Sequence, residues 1–330
     1  MGSFLSGTDS NKEIDIPIFE INDIPGKGRG LIARSNISKG TRILCERPLF
    51  TVPSMEPSLL ELVLAARLKA LPKASQRQFL SLHNRSPGKY PFSNIFNTNA
   101  LPCGSGSVVG GVYPTICLIN HSCIPNSHHN WDEDAEHETI YAIRPIRAGE
   151  EITITYHQES ISAIRRAFLK ESFGFDCSCS GCSRSPSELQ ESDARRLQIQ
   201  KLDENIVNPS NLISRPNESL RDCRSLLQVM DVEYDVYAEA LNARTYYDAF
   251  QVCIAHGDQA RASVFADRAY KGYVICEGEN SPEAQRVKSL GLKPAAHVSF
   301  ELCSTKWKTT RGMVPKSLDS VQFEKWLFRE

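Results

Sequence analysis

The heptapeptide NHSCIPN occupies residues 120–126 and directly follows the apolar run at 116–119. Asn and His side chains next to such a run are expected to be buried, and buried polar groups need hydrogen-bond partners. Further along, RAGEEITITY at 147–156 predicts a turn that leads into a strand ending at Tyr156. Both segments lie within a β-rich block that we expect to run from Tyr113 to Tyr156.

The segments that precede this block suggest strands interrupted by a helical region. Short β-rich runs punctuated by Gly and Pro predict strands and tight turns over residues 13–53. Within them, GKGRG at 26–30 is by itself typical of a glycine turn, and no helix follows it that could make a phosphate site. Apolar residues then recur at helical spacing, which predicts a helical insertion over about 54–96. A loop rich in Gly and Pro is expected over 101–112.

Cysteine spacing points to a metal site. Cys177, Cys179 and Cys182 form a CxCxxC pattern, and loop thiolates at this spacing can converge on one tetrahedral zinc ion. Cys123 is the preferred fourth ligand because it lies in NHSCIPN. On spacing alone, other candidates stay open: Cys103, Cys117, His128 and His129. Ordinary buried thiols are expected at the following positions: Cys45, Cys117, Cys223, Cys253, Cys276 and Cys303.

Composition excludes several classes of protein. With 38 Lys and Arg against 39 Asp and Glu, the formal charge is -1, so the chain lacks the basic footprint of a strong nucleic-acid binder. No apolar run of about 18 residues and no secretory pattern is present, so we expect an intracellular protein without a membrane span. Acidic residues concentrated at 132–138 are interpreted as a solvated hairpin tip.

The C-terminal region changes character. Polar residues at 185–195 are typical of a linker, and helical spacing predominates from there to residue 330. We predict one long helix ending near Ile254, a turn at 256–258, and a second helix that ends at Gly278. Two helices joined in this way form a hairpin like one TPR unit, although no second copy is evident at a regular period.

Taken together, GKGRGL, NHSCIPN, GEEITITY and CSCSGC resemble, in content and order, the motifs of SET-domain protein-lysine methyltransferases with post-SET zinc cysteines. The resemblance covers roughly residues 14–184. The helical insertion and helical C-terminal region are most similar to the SMYD branch, but the insertion contains no cysteine and hence no MYND finger. The chain therefore looks most like the MYND-less, SMYD-like SET proteins common in fungi.

This resemblance implies an α+β protein. Its SET domain would be a β-clip with a pseudoknot, in which the Asn-His-Ser-Cys segment and the strand reaching Tyr156 thread together. A post-SET zinc site and an all-α, TPR-like C-terminal domain would follow. The implied boundaries are a flexible N-terminus at 1–12, a SET domain at 13–158 that includes the insertion, a post-SET segment at 159–184 and the helical domain at 185–330. We expect a monomer.

The resemblance also implies the site. The methyl donor would be S-adenosyl-L-methionine, and Cys123 would complete a structural Zn²⁺ site. Tyr156 matches the catalytic tyrosine that lines the lysine channel, and Phe175 matches the aromatic residue that packs on the adenine. Phe173 stands where SMYD enzymes usually have a second channel tyrosine, a departure that bears on the degree of methylation. The implied cofactor-binding residues are Lys27, Gly28, Arg29, Gly30, Asn99, Asn120, His121, Tyr156 and Phe175.

The expected function is methyl transfer from S-adenosylmethionine to a lysine ε-amine of a histone or non-histone protein, in the nucleus and/or cytoplasm. Only about one lysine in a thousand is neutral at physiological pH. A narrow aromatic channel beside a sulfonium disfavours the ammonium through desolvation and like charge, so no dedicated base is required. The alternative is a catalytically weak or inactive SET module that acts as a protein-binding scaffold in transcription or chromatin regulation.

Overall fold

The computed structural model describes residues 17–157 and 161–330; the predicted flexible N-terminus at 1–12 lies outside these ranges. Ten strands and eleven α-helices are found in the described residues. The strands are β1 (Phe19–Ile24), β2 (Gly28–Ala33), β3 (Arg42–Glu46), β4 (Phe50–Pro53), β5 (Leu101–Pro102), β6 (Val109–Val112), β7 (Asn120–His121), β8 (Ser127–Asp132), β9 (His137–Ala142) and β10 (Glu151–Ile154). The helices are α1 (Pro57–Ala70), α2 (Lys73–Leu80), α3 (Pro91–Asn99), α4 (Ser162–Phe173), α5 (Pro186–Ile206), α6 (Pro209–Ser214), α7 (Pro216–Tyr234), α8 (Ala238–Ala255), α9 (Gln259–Glu277), α10 (Pro282–Leu292) and α11 (Ser320–Leu327).

The strands form three small sheets. Their strand orders are β1-β2-β10-β7, β3-β9-β8 and β4-β6-β5. One cluster of buried side chains connects them, with Leu31 of β2, Ile140 of β9, Ile152 of β10 and Val52 of β4 among its members. The three sheets therefore share a single hydrophobic core.

Helices α1–α3 form the predicted insertion between β4 and β5. Leu60, Leu64 and Leu68 of α1 are buried and recur every fourth residue, so they lie on one face of the helix. Phe79 of α2 is fully buried, and its ring centroid lies 5.5 Å from that of Phe50 in β4. The helical prediction is confirmed, and the insertion packs directly on the β core.

The prediction of a loop over 101–112 is wrong in part. Strands β5 and β6 lie within it and pair with each other, and β6 also pairs with β4. A Cβ added to Gly111 would lie 2.7 Å from Tyr113 Oη, and one added to Gly110 would lie 3.2 Å from Ala100 Cβ. These glycines permit close packing inside a strand rather than a turn, which their composition alone does not distinguish.

Strand β7 pairs with β10, and this parallel pairing joins the two decisive sequence segments. Asn120 lies opposite Thr153, and His121 lies opposite Ile154. Immediately beyond β7, the backbone N–H of Ser122 donates to Ile154 O at 2.9 Å. NHSCIPN and the strand leading to Tyr156 therefore run side by side.

Asn126, at the other end of the heptapeptide, also binds β10. Its side chain is 1% exposed. The Nδ2 group donates to Glu151 O at 2.8 Å, and Oδ1 accepts a hydrogen bond from Thr153 N at 2.8 Å. Ser127 Oγ donates to Thr153 O, also at 2.8 Å. Side chains that follow β7 thus satisfy backbone groups of β10 that would otherwise be buried without partners.

Most of the packing among the C-terminal helices joins α5 to α7, α7 to α8, α8 to α9 and α9 to α10. The predicted hairpin is confirmed: α8 and α9 are joined at residues 256–258, and Asp258 caps α9 by accepting from Arg261 N at 3.2 Å. The polar stretch at 185–195 is not a linker. It belongs to α5, which Ser185 and Glu188 begin with a reciprocal capping box.

Helix α9 also packs on β8 and β9, so the helical region contacts the β core directly. Gly278 follows α9 with a φ of +90°, and an added Cβ there would collide with the Tyr141 hydroxyl. Arg144 Nε donates to Tyr237 Oη at 3.2 Å across the same junction. No helix in the described ranges is both long and apolar enough to cross a bilayer.

We predict that Asn126→Ala lowers the free energy of unfolding by about 1–3 kcal/mol, because it leaves the buried Thr153 N–H and Glu151 carbonyl without their side-chain partner. Chemical denaturation of the full chain measures the change. Asn97→Ala, at an exposed position of α3, serves as the control and should stay within about 0.5 kcal/mol. Equal stability of the two variants would contradict the role assigned to Asn126.

Candidate functional site

The hairpin of β1 and β2 presents the glycine motif. Ile24 pairs with Gly28, and residues 25–27 form the turn. Gly26 and Gly28 both have φ of 74°, in the left-handed region that favours glycine. The predicted turn is confirmed for the first part of GKGRG, whereas Gly28, Arg29 and Gly30 lie in β2.

Gly30 lets the hairpin and the NHSC segment approach each other. A Cβ on Gly30 would lie 2.7 Å from Asn120 Nδ2. That amide donates to Arg29 O at 3.1 Å and to Glu151 Oε1 at 2.9 Å. Lys27 Nζ lies 2.6 Å from the other oxygen of Glu151, Oε2. Glu151 therefore binds both the Asn120 amide and the Lys27 ammonium group. The sequence did not predict this role, although Glu151 lies within GEEITITY.

The Arg29 side chain turns away from this cluster and toward the insertion. Its Nη2 donates to Ser81 O at 2.6 Å, at the end of α2. Arg85, in the loop after α2, lies against Gly174, where an added Cβ would be 3.2 Å from Arg85 Cγ. The insertion therefore contacts both the glycine hairpin and the segment that carries Phe173 and Phe175.

Asn99 is likewise held by the insertion. Its Nδ2 donates to His83 O and to Ile95 O, each at 2.7 Å. Its backbone carbonyl accepts from Cys117 Sγ at 3.2 Å. Asn99 is thus bound to His83, Ile95 and Cys117 around the end of α3.

His121 is 4% exposed and connects β7 to the end of β10. Its Nδ1 accepts from Tyr156 N at 2.9 Å, which requires an unprotonated Nδ1. Burial lowers the pKa of His121 to about 4, so the imidazole is neutral at physiological pH. The remaining nitrogen, Nε2, lies 3.2 Å from Cys123 Sγ. His121 thus links the chain before Tyr156 to the cysteine cluster.

Tyr156 stands at the centre of an aromatic group. Its hydroxyl donates to Ile119 O at 2.7 Å, and burial raises its pKa, so the phenol stays protonated. Ring centroids of Phe173, His121 and Phe175 lie 4.8, 5.3 and 6.5 Å from that of Tyr156. Because the hydroxyl hydrogen is committed to Ile119, the oxygen faces any further ligand as an acceptor.

Phe173 and Phe175 flank the end of α4. Gly174 ends the helix with a φ of +82°, and its N–H donates to Lys170 O at 3.0 Å. This left-handed cap turns the chain so that both phenylalanines belong to the same aromatic group, with centroids 6.4 Å apart.

Four cysteines converge beside these aromatic rings. The Sγ atoms of Cys123, Cys177, Cys179 and Cys182 all lie within 4.8 Å of one another. Cys123 Sγ is 3.9 Å from Cys177 Sγ and 3.5 Å from Cys182 Sγ. Tetrahedral Zn–S bonds of about 2.3 Å would separate the sulfurs by about 3.8 Å. Hydrogen bonds from the neighbouring thiols lower the pKa of Cys179, which favours a thiolate in the cluster.

The alternative fourth ligands lie elsewhere in the fold. Cys117 Sγ donates to Asn99 O, and His129 Nδ1 is 2.8 Å from Glu138 Oε1. Glu138 is fully buried, so the acidic stretch at 132–138 is not entirely a solvated tip. Cys223, Cys253 and Cys276 are buried as expected, whereas Cys45 is exposed. Partial exposure is found at Cys103, Cys117 and Cys303.

Comparison with known proteins identifies this assembly. A family model described as SET domain matches residues 28–157. Histone-lysine N-methyltransferase set5 of Schizosaccharomyces pombe is 33% identical over 289 residues, which are 86% of this chain and 86% of that protein. The chain belongs to the SET-domain family of protein-lysine methyltransferases. Strands β2 to β10, His121 and Tyr156 lie within the matched residues, whereas β1, Phe173 and Phe175 lie outside them.

Two further relatives match this SET-domain protein over shorter stretches. Histone-lysine N-methyltransferase SET5 of Saccharomyces cerevisiae is 35% identical over 105 residues, 29% of this chain and 20% of that protein. Histone-lysine N-methyltransferase SMYD3 of Homo sapiens is 38% identical over 88 residues, 26% of this chain and 19% of that protein. The chain thus spans about a fifth of these two relatives, and the expected SMYD-like resemblance is confirmed.

We predict that Gly30→Ala destabilises this SET domain by about 1–3 kcal/mol, because the added Cβ would lie 2.7 Å from Asn120 Nδ2 and from Ile24 Cγ1. Thermal and denaturant unfolding of the full chain measure the loss. Gly312→Ala is the matched control, since nothing lies within 4 Å of its added Cβ. A Gly30→Ala protein as stable as the control would show that β2 and Asn120 are not in close contact.

Proposed function

We propose that this protein transfers a methyl group from S-adenosyl-L-methionine to the ε-amine of a lysine in a histone or non-histone protein. The observation that carries the proposal is the parallel pairing of β7 with β10. It places Asn120 and His121 beside the backbone that leads to Tyr156, between the glycine hairpin and the aromatic group. The names of the relatives support a histone as the first substrate to test.

The cofactor would lie against the glycine hairpin and NHSC segment. Lys27 and Asn120 offer a partly exposed cation and an amide, and Phe175 offers an aromatic face, a set that fits a charged amino-acid group joined to a purine. Gly28, Arg29 and Gly30 would contribute their backbone, since the Arg29 side chain binds Ser81. His121 and Asn99 complete the proposed cofactor residues. When bound, this cofactor supplies a methyl group activated by a sulfonium.

Tyr156 would orient the lysine amine. Its hydroxyl donates to Ile119 O, so its oxygen can accept an N–H from the amine and leave the nitrogen lone pair directed elsewhere. The rings of Tyr156, Phe173 and Phe175 form an apolar surround that disfavours an ammonium, so the amine loses its proton to solvent on entry. Positioning, rather than a dedicated general base, would then supply the catalysis.

Phe173 would shape the product. A phenylalanine offers no hydrogen bond to the amine or to a water beside it, whereas SMYD enzymes usually have a tyrosine at this position. The amine would be held by the single hydroxyl of Tyr156, whose ring lies 4.8 Å from that of Phe173. Phe173 is therefore the residue we expect to set the degree of methylation.

A structural Zn²⁺ would be held by Cys123, Cys177, Cys179 and Cys182. Four thiolates fill a tetrahedral ion and leave no position for substrate, so its role would be to hold the segment after α4 beside the aromatic group. This segment would be the post-SET region. The helical region, with α8 and α9 as a TPR-like hairpin, would form one wall of the peptide cleft.

We place the protein in the nucleus and/or cytoplasm, as a monomer that binds a protein substrate. The proposed boundaries are a SET domain at 13–158, a post-SET segment at 159–184 and a helical domain at 185–330. The pseudoknot is supported by the hydrogen bonds of Ser122 and Asn126 to β10.

Calorimetric titration with S-adenosylmethionine, followed by transfer of its labelled methyl group to purified histones, tests the function. We expect saturable binding that Asn120→Ala weakens, because this change removes the amide between the hairpin and Glu151. Saturable binding without transfer to histones or cell-extract proteins would favour the scaffold alternative. Absence of both would contradict the proposal.

We predict that Tyr156→Phe lowers the methyl-transfer rate about tenfold, equivalent to about 1.4 kcal/mol, with little change in cofactor affinity, since only the amine-orienting hydroxyl is lost. Single-turnover transfer and calorimetry separate the two effects. Tyr90→Phe is the control: it removes the hydroxyl of the residue that precedes α3 in the helical insertion. A Tyr156→Phe rate equal to that of the control would remove the orienting role.

We predict that Cys179→Ser reduces bound zinc from one ion per chain to a small fraction, because the cluster loses one of four soft ligands. Elemental analysis after dialysis against a chelator measures the ratio. Cys45→Ser, an exposed thiol outside the cluster, should retain its zinc. Equal zinc content in both variants would contradict the assigned ligand set.

A further inference from the structure

The loop between α2 and α3 carries a short motif that neither the fold nor the proposed methyl-transfer site uses. The loop spans residues 81–90 and contains the tetrapeptide Ser86-Pro87-Gly88-Lys89. All four residues are exposed, and they belong to neither a helix nor a strand. Exposed loops outside regular structure are the segments that other enzymes reach most easily.

The backbone of Ser86 is anchored, while its hydroxyl is free. Its N–H donates to Asn84 Oδ1 at 3.1 Å, and its carbonyl accepts from Asn94 Nδ2 in α3. Ser86 Oγ forms no hydrogen bond with any residue that the structure describes. A nucleophilic oxygen is therefore presented to solvent from a loop that is bound to α3.

The residues after Ser86 match the requirement of one class of enzyme. Proline-directed kinases accept proline directly after the serine that they phosphorylate, because their peptide groove offers no acceptor for the backbone N–H that proline lacks. Cyclin-dependent kinases, one branch of this class, also favour Lys or Arg at the third position after the serine. Pro87 and Lys89 occupy these two positions.

Two other Ser-Pro pairs in the chain provide an internal comparison. Ser185 is the N-cap of α5, and its hydroxyl donates at 2.6 Å to Glu188, an acidic residue at the third position. Ser281 is only 6% exposed, and its hydroxyl accepts from Ala284 N at 3.1 Å as the N-cap of α10. Of the three serines, only Ser86 has an unbonded hydroxyl and a basic residue at the third position.

The sequence around Ser86 is basic. Residues 62–131 contain six Lys and Arg and no Asp or Glu, although the whole chain has a formal charge of -1. Two of the six, Arg85 and Lys89, lie close to Ser86 in the sequence and are exposed. A phosphate on serine carries about −1.5 to −2 charges at pH 7 and pairs readily with such cations. Phosphorylation of Ser86 would therefore be favoured by the local charge.

We propose that Ser86 is a phosphorylation site for a proline-directed kinase that selects a basic residue at the third position, and that Arg85 and Lys89 pair with the phosphate. Ser86 Oγ forms a bond to the γ-phosphorus of ATP, and the bond from that phosphorus to the oxygen shared with the β-phosphate breaks. ADP leaves, and the hydroxyl proton passes to the catalytic aspartate of the kinase. This inference is independent of the proposed methyl transfer.

The test uses the folded full chain, a purified cyclin-dependent kinase bound to its cyclin, and ATP labelled at the γ-phosphate. Tandem mass spectrometry locates the phosphate. Ser86→Ala removes the acceptor, and Ser185→Ala is its matched control. Lys89→Gln and Arg85→Gln remove the neighbouring cations, and Lys293→Gln removes an exposed cation at the end of α10 as their control.

We expect one phosphate per chain, on Ser86, in the wild type and in Ser185→Ala, and none in Ser86→Ala. Lys89→Gln should lower kcat/KM for phosphorylation about tenfold, because the kinase loses one charge-assisted contact. In the phosphorylated protein, Arg85→Gln should raise the second pKa of the phosphate, measured by phosphorus NMR, because a cation that favours the dianion is lost. Lys293→Gln should match the wild type in both measurements.

Three outcomes would overturn the inference. Phosphate on Ser185 or Ser281 instead, or no phosphate on the folded wild type, would remove the site. Equal kcat/KM in Lys89→Gln and Lys293→Gln would show that the kinase does not recognise the basic residue. An unchanged phosphate pKa in Arg85→Gln would contradict the proposed pairing. None of these results requires methyl transfer, so a failure of the proposed function is distinguished from a failure of this inference.

Discussion

The hydrogen bonds between β10 and the side chains of NHSCIPN are the constraint on which the site depends. Asn126 satisfies backbone groups of Glu151 and Thr153, and His121 accepts from the N–H of Tyr156. These polar groups are buried, so each bond that is not made would cost roughly 1–3 kcal/mol. Because the heptapeptide and the strand are held in this one register, Tyr156 has a defined position relative to Asn120 and the glycine hairpin.

A second constraint joins the cysteines to the aromatic rings. Cys123 comes from the heptapeptide, while its three companions come from the segment after α4, so the cluster connects the β core to the chain beyond it. Leu169 packs in one hydrophobic cluster with these cysteines and with Tyr156 and Phe173. The proposed metal site and the proposed lysine channel are therefore parts of one packed unit, and a change in one is expected to alter the other.

The helical insertion contacts the site at three places. Ser81 accepts a hydrogen bond from Arg29, His83 accepts from Asn99, and Arg85 packs against Gly174. Ser81, His83 and Arg85 all lie in the short loop after α2. The insertion thus contacts the glycine hairpin, the end of α3 and the turn between the two phenylalanines, which gives it a structural role independent of any binding partner.

Much of this arrangement can be predicted from the sequence because its signals are local. Four such signals are each contained in a short stretch of sequence. They are the turn glycines, the leucine spacing of α1, the CxCxxC pattern and the Gly-Asp turn between α8 and α9. Family resemblance adds Cys123 and the site tyrosine. Only the tertiary structure shows that Glu151 binds both Lys27 and Asn120. It also shows that the Arg29 side chain donates to Ser81 O. Arg165 and Glu138 are buried, which the sequence does not indicate. Charged side chains carry no local signal of burial, since their partners come from distant segments that only the folded chain brings together.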